Sequence, residues 1–196
     1  SFAGKIRFET DLLDYIGMDK SLYKQFRADS LKKISSTTIP ELLDKVDATI
    51  LPKAKEIGDA GEALVHAHEC MKLKESNRSD LIKKIVHLPN YLAMGYDIRS
   101  YDSKGMIKDI EVKTTISRSS LDFSKFHFTD NEWNVACQEL GKYFVYRLLI
   151  SRKDDGGANV KLFVIQNPIE QLKKGLLKAK SGDGMDITFQ PKSGSY

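Results

Sequence analysis

Cysteine is scarce in this chain: Cys70 and Cys137 stand alone, with no CxxC pair. That excludes a small disulfide scaffold and reads as two thiols in a reducing compartment. No apolar run reaches the roughly 20 residues that a membrane span needs, and no secretory hydrophobic region appears. A glycine-rich phosphate cradle is also missing, since Lys153 to Gly157 lacks the GK[ST] ending of a nucleotide-binding loop. Nor is there a large excess of one charge. A net charge of +4 with a pI near 8.9 permits a nucleic-acid partner without demanding one. No internal repeat or low-complexity tract interrupts the 196 residues. The expectation is a soluble cytoplasmic domain with one well-buried core and a helical appendage.

What the chain does have is a pair of short segments, Gly95-Tyr96-Asp97-Ile98 and Ile110-Glu111-Val112-Lys113, separated by the turn Asp102-Ser103-Lys104-Gly105. Ionisable and apolar residues alternate in both, so each reads as a half-buried strand of a hairpin. Side chains alternate across a strand, which puts Glu111 and Lys113 on one face and Ile110 and Val112 on the other. In the simplest register Asp97 lies beside them. Two carboxylates and a lysine on one face suit a divalent metal with a positioned cation, the requirement of phosphodiester hydrolysis. The bland alternative is a surface aspartate and a Glu–Lys pair on a solvated face. E-x-K strands are common, and the pattern alone does not separate the two.

Along the chain, residues 1 to about 57 read as two or three short helices, with Pro40 at a helix start. A clear helix is expected from Asp59, a natural N-cap, to about Glu75, with Ala60, Ala63, Leu64, Ala67 and Met71 as its apolar stripe. Ser79 to Val86 reads as a short basic helix, and Ser117 to Ser124 as a polar loop. Thr129-Asp130-Asn131-Glu132 is a capping box opening a helix through Leu140. Tyr143 to Ile150 and Lys161 to Ile165 read as strands, Asn167-Pro168 as the start of a short helix to about Leu177, and Met185 to Phe189 as a final edge strand. The order after the N-terminal helices is α-β-β-α-β-β-α-β, one α/β core around a mixed sheet.

The order of helix, Asp-bearing strand, turn, Glu-x-Lys strand and helix resembles the PD-(D/E)XK nuclease core. More narrowly, Gly95-Tyr96-Asp97-Ile98, then Ile110 to Thr115, then Tyr143 to Arg147 look like the family named after the C-terminal domain of the protein NO VEIN. The resemblance covers roughly residues 56 to 170. It implies a restriction-endonuclease-like fold, an α-β-β-β-α-β type mixed central sheet flanked by helices. An N-terminal helical segment over 1–55, a cap or a partner-docking piece, would precede a nuclease core over 56–196. It also implies a Mg²⁺-dependent endonuclease, with Mn²⁺ able to substitute, acting on DNA in a restriction or antiphage defence setting. Asp97 and Glu111 would hold the metal and Lys113 would assist the attacking water.

Family members often carry Gly-Glu at the start of the first core helix, matched here by Gly61-Glu62, so Glu62 is a further metal-site candidate. The competing role for Glu62 is a capping box with Asp59. His66 and Glu69 lie on the same helix face as Glu62, and His66 is an auxiliary candidate against the default of a solvated histidine. A zinc reading of His66 and Cys70 lacks partners with ligand spacing, because His87 and Cys137 fit no such pattern. Thr115 and Arg118 are the DNA-contact candidates, from a hydroxyl-rich stretch after the Glu-x-Lys strand; an ordinary polar loop is the alternative. Lys72, Lys74, Arg78, Lys83 and Lys84 form a basic patch that equally suits a solvated face. Implied partners are DNA and a helicase, ATPase or target-recognition subunit, with a homodimer suited to double-strand cutting and no membrane. The rival functions are a catalytically silent nucleic-acid-binding module and a protein-interaction domain of a larger helicase machine.

Overall fold

The computed structural model describes residues 6–9, 38–117 and 124–189. Its order is strand β1 (Ile6–Glu9), helices α1 (Thr38–Asp47) and α2 (Ala54–Glu75), and strands β2 (Val86–His87), β3 (Ile98–Tyr101), β4 (Ile107–Ile116) and β5 (Lys125–Phe128). Helix α3 (Asp130–Glu139), strands β6 (Tyr143–Arg152) and β7 (Ala158–Gln166), helix α4 (Pro168–Lys173) and strands β8 (Leu177–Gly182) and β9 (Gly184–Phe189) complete it. A six-stranded sheet runs β1-β7-β6-β4-β3-β2, and a second sheet runs β5-β9-β8. The large sheet is mixed: β4 and β6 are parallel, joined across α3, and its other pairs are antiparallel. This is the expected α/β architecture of a mixed central sheet flanked by helices and preceded by an N-terminal helix.

Strand β6 explains why its sequence is a continuous apolar run. Tyr143 to Ser151 are all buried, because both faces of this strand are covered. On one face Tyr146, Leu148 and Ile150 join Ile110 and Val112 of β4 beneath Leu64, Ala67 and Met71 of α2. On the other, Tyr143, Val145 and Leu149 meet Phe128, Ile187 and Phe189 of the second sheet and Ala136 of α3.

Gly61 sets how closely α2 approaches β4. A Cβ built there would lie 1.9 Å from Thr114 Oγ1 and 2.9 Å from Thr114 Cβ. Threonine on a strand is stiff at χ1, so the helix itself would have to lift. Gly61→Ala is therefore expected to destabilise the chain by about 1–3 kcal/mol despite alanine's better helix propensity. Urea unfolding midpoints check this, and Thr114→Ala in the same chain should recover part of the loss.

The structure corrects several sequence expectations. Residues 1–55 are not helical throughout, since Ile6–Glu9 is a strand antiparallel to β7. Helix α2 begins at Ala54, with the backbone N–H of Lys53 donating to Glu56 at 2.9 Å. Asp59 is therefore inside the helix, bonded to Lys55, and does not cap it. Ser79–Lys84 is a 3-10 turn leading into β2. Helix α4 ends at Lys173, and Leu177 opens β8. β9 is no edge strand: it is the centre of the second sheet, between β5 and β8. Among the described residues no helix is long and apolar enough to cross a membrane.

Candidate active site

The hairpin forms as expected. Gly105, at φ +82°, closes its turn. Asp102 supports it by accepting from the backbone N–H groups of Lys104 and Met106, both at 2.8 Å. Ile98 pairs with Ile110 in the β3–β4 register, and one further step sets Asp97 opposite Glu111. The Asp97 N–H donates to Ile110 O at 2.9 Å. Its carboxylate reaches across to accept the Val112 N–H at 2.8 Å. Asp97 and Glu111 both line a pocket of about 370 Å³ bounded by residues 89–90 and 93–96 and the start of α3.

Lys113 lies on the same face of β4. Its Nζ sits 2.8 Å from Glu111 Oε1 and 2.7 Å from Glu132 Oε2. Glu132 has two duties. Its Oε2 also accepts the Thr129 N–H at 2.9 Å, the capping-box bond that starts α3. The Thr129–Glu132 spacing is legible in the sequence as a cap. No sequence signal says that the same oxygen bonds a lysine on a neighbouring strand.

The charges respond to burial and to each other. Burial pushes the Asp97 carboxyl up to about 6; the Val112 N–H and Lys113 oppose this, while Glu62 and Glu132 add to it. Glu111 is driven well above the ordinary carboxylate range by burial, with Asp97 and Glu132 adding to the rise and Lys113 opposing it. Burial works against the Lys113 ammonium, yet Glu111 and Glu132 outweigh it and hold its pKa above the usual lysine value. For Glu132, burial is outweighed by Lys113 and the Thr129 N–H, so its carboxyl stays low. The result is two buried carboxylates that resist ionising together, next to a lysine held as a cation.

Glu62 stands beside this group and has a different close partner. Its Oε2 lies 3.8 Å from His87 Nδ1, and His87 Nε2 lies 2.7 Å from His66 Nδ1. His66 is thus paired with another imidazole and is not simply solvated. Glu69 turns away from the site altogether. It is buried under α2, where Lys108 Nζ donates to its two oxygens at 2.9 and 2.7 Å. Thr115 Oγ1 accepts from Arg147 Nη2 at 2.7 Å, and Arg118 lies outside the described residues.

Among the described residues no three His, Cys, Asp or Glu side chains converge to enclose a metal, so Asp97, Glu111 and Glu62 do not form one closed ligand set. Two facing carboxylates on an open pocket do fit Mg²⁺, which takes one or two protein carboxylates and keeps several waters. The zinc reading fails on geometry: Cys70 is buried in the core under α2 while His66 is bonded to His87, and no third ligand joins them among the described residues.

A search of curated proteins finds no match to the chain. A family profile described as Protein NO VEIN, C-terminal, matches residues 61–165. The match begins at the close-packed Gly61, ends in β7, and takes in Asp97, Glu111, Lys113 and Glu132. It spans more than half of the sequence, and the chain therefore belongs to that family.

Proposed function

We propose that this chain is a Mg²⁺-dependent endonuclease domain of the PD-(D/E)XK type that hydrolyses phosphodiester bonds in DNA. The observation that carries the reading is the facing pair Asp97 and Glu111 on one pocket, with Lys113 held as a cation beside them. Asp97 and Glu111 would hold the metal, with Glu62 as a more distant contributor to the field of the site. When bound, Mg²⁺ supplies Lewis-acid polarisation of the phosphoryl group and offsets the charge building there.

The chain's own residues do the rest. Because Lys113 keeps its proton, it is no general base; it aligns water or phosphate oxygen by donating hydrogen bonds and stabilises developing negative charge. Glu132 holds the ammonium together with Glu111. Water attacking phosphorus forms a new P–O bond and breaks the P–O3′ bond, leaving a 5′-phosphate and a 3′-hydroxyl. Service in a restriction or antiphage setting, with a helicase or target-recognition subunit choosing the site, belongs to the same proposal.

The test is to incubate plasmid and single-stranded DNA with the purified chain and Mg²⁺ or Mn²⁺, beside Asp97→Asn. Cleavage by the wild type that is lost in the variant and on addition of EDTA is the expected result. Two intact substrates in every lane would overturn the nuclease reading and favour a catalytically silent binding module. Equal cleavage by wild type and variant would place the activity elsewhere.

A further inference from the structure

The second sheet has a solvent face that the proposed chemistry does not use. In β5, Phe126 and Phe128 are buried while Lys125 and His127 are exposed. In β9, Ile187 and Phe189 are buried while Asp186 is exposed and Thr188 half-buried. Register then aligns the outward residues in two rows across the sheet. Lys125 pairs with Thr188 and Thr188 with Lys178; His127 pairs with Asp186 and Asp186 with Lys180. Alternate residues on a strand lie about 6.8 Å apart, so the lysines form a spaced array. These residues line a shallow trough of about 580 Å³.

We propose that this face binds the sugar–phosphate backbone of the nucleic acid whose scissile bond lies at Asp97 and Glu111, an inference that rests on the nuclease reading. Three observations carry it. The first is charge: three lysines and a hydroxyl face outward, and Asp186 is engaged by His127 Nδ1 at 2.8 Å. Lysine and threonine are common backbone-phosphate contacts. The second is the kind of surface. The large exposed apolar side chains of the described residues, Ile50, Leu51, Val86, Tyr91, Leu92, Met94, Met106 and Leu140, all lie elsewhere. Protein interfaces are commonly anchored by buried aromatic side chains or arginine, which this face does not offer; a polyanion needs none.

The third observation is rigid continuity with the candidate active site. The strand that carries Lys125 and His127 runs directly into Thr129, which lines the carboxylate pocket and caps α3. Buried Arg147 also ties the two places together, donating from Nε to Lys125 O at 2.9 Å and from Nη1 to Lys113 O at 3.0 Å. One guanidinium thus fixes the spacing between the lysine face and the strand bearing Glu111 and Lys113. A strand lying on the face would therefore stand at a fixed offset from the pocket.

The experiment measures binding of a labelled DNA duplex and single strand in EDTA, without cleavage, over a series of salt concentrations. The triple variant Lys125→Gln, Lys178→Gln, Lys180→Gln should bind at least about tenfold more weakly, with the slope of log affinity against log salt reduced by about one per lysine. Asp186→Asn removes the carboxylate from the face and should bind more tightly; it decides the matter if the triple variant fails to fold. Unchanged affinity and salt slope in the folded triple variant would overturn the inference. So would a wild type that binds polyglutamate and no DNA. Lysine-dependent binding without cleavage in Mg²⁺ would overturn the nuclease reading alone, and cleavage with lysine-independent binding would overturn this inference alone.

Discussion

Lys113→Met is expected to lower the cleavage rate at saturating DNA by about 10²- to 10³-fold, the usual cost of removing one preorganised donor from a charge-stabilising site. The argument begins with the strand. Alternation puts Lys113 on the face of Glu111, and the capping glutamate of α3 comes to meet it, so the ammonium is held at 2.8 and 2.7 Å between two carboxylates. Burial alone would favour the neutral amine, but the paired carboxylates reverse that and keep the proton on. A cation fixed before substrate arrives needs no reorganisation as charge builds on the phosphate. Its removal should therefore act on turnover and leave the apparent affinity for DNA within a few-fold. Steady-state rates over a range of DNA concentrations read the two effects separately. A loss confined to affinity would make Lys113 a binding residue and not a participant in the chemistry.

Glu69→Ala should cost about 3–5 kcal/mol of stability, the penalty for leaving a buried charge without its partner. Lys108, buried beneath α2, sits against the rings of Phe144 and Tyr146 and donates to Glu69 and to the Tyr146 hydroxyl. Removing the carboxylate strands that ammonium. The double change Glu69→Leu, Lys108→Met removes both charges but also takes Glu69 away from the Tyr146 hydroxyl and the His68 imidazole, so it should recover part of the loss and not all of it. The pair also carries an acid dependence. Burial works to raise the Glu69 carboxyl, but Lys108 and His68 prevail and hold it far below its ordinary value of 4.5. Its stabilisation is thus fully present above the unfolded-state pKa and is lost as pH falls below it. Urea midpoints taken between neutral and strongly acid pH should drop more steeply in the wild type than in the double variant.

The site was legible in the sequence where it depends on local periodicity. Strand alternation in Gly95–Ile98 and Ile110–Lys113, with a glycine-closed turn, was enough to bring Asp97, Glu111 and Lys113 to one face. The capping box at Thr129 likewise announced α3. Contacts set by tertiary packing left no such mark. Glu69 shares a helical face with Glu62 and His66 by spacing, but Lys108 emerges from the other face of β4 and draws it into the core. Glu62 has capping-box spacing from Asp59, but the helix starts at Ala54, where Glu56 takes that role. Of the second sheet only Met185 to Phe189 reads as a strand from the sequence: β5 turns Lys125 and His127 outward and β8 turns Lys178 and Lys180 outward, and a strand with only one buried face and polar flanks reads as loop. The contact of His87 with His66 depends on β2 pairing with β3, a tertiary pairing with no local mark in the sequence.

The measurement closest to the central claim is a calorimetric titration of Mn²⁺ into the chain, with Asp97→Asn and Glu111→Gln titrated alongside. Two facing carboxylates that resist joint ionisation should gain a divalent cation readily, so the wild type is expected to show one saturable site that both substitutions abolish. Binding that is absent from the wild type, or equally strong in both variants, would contradict the assignment of Asp97 and Glu111 as the metal-holding pair.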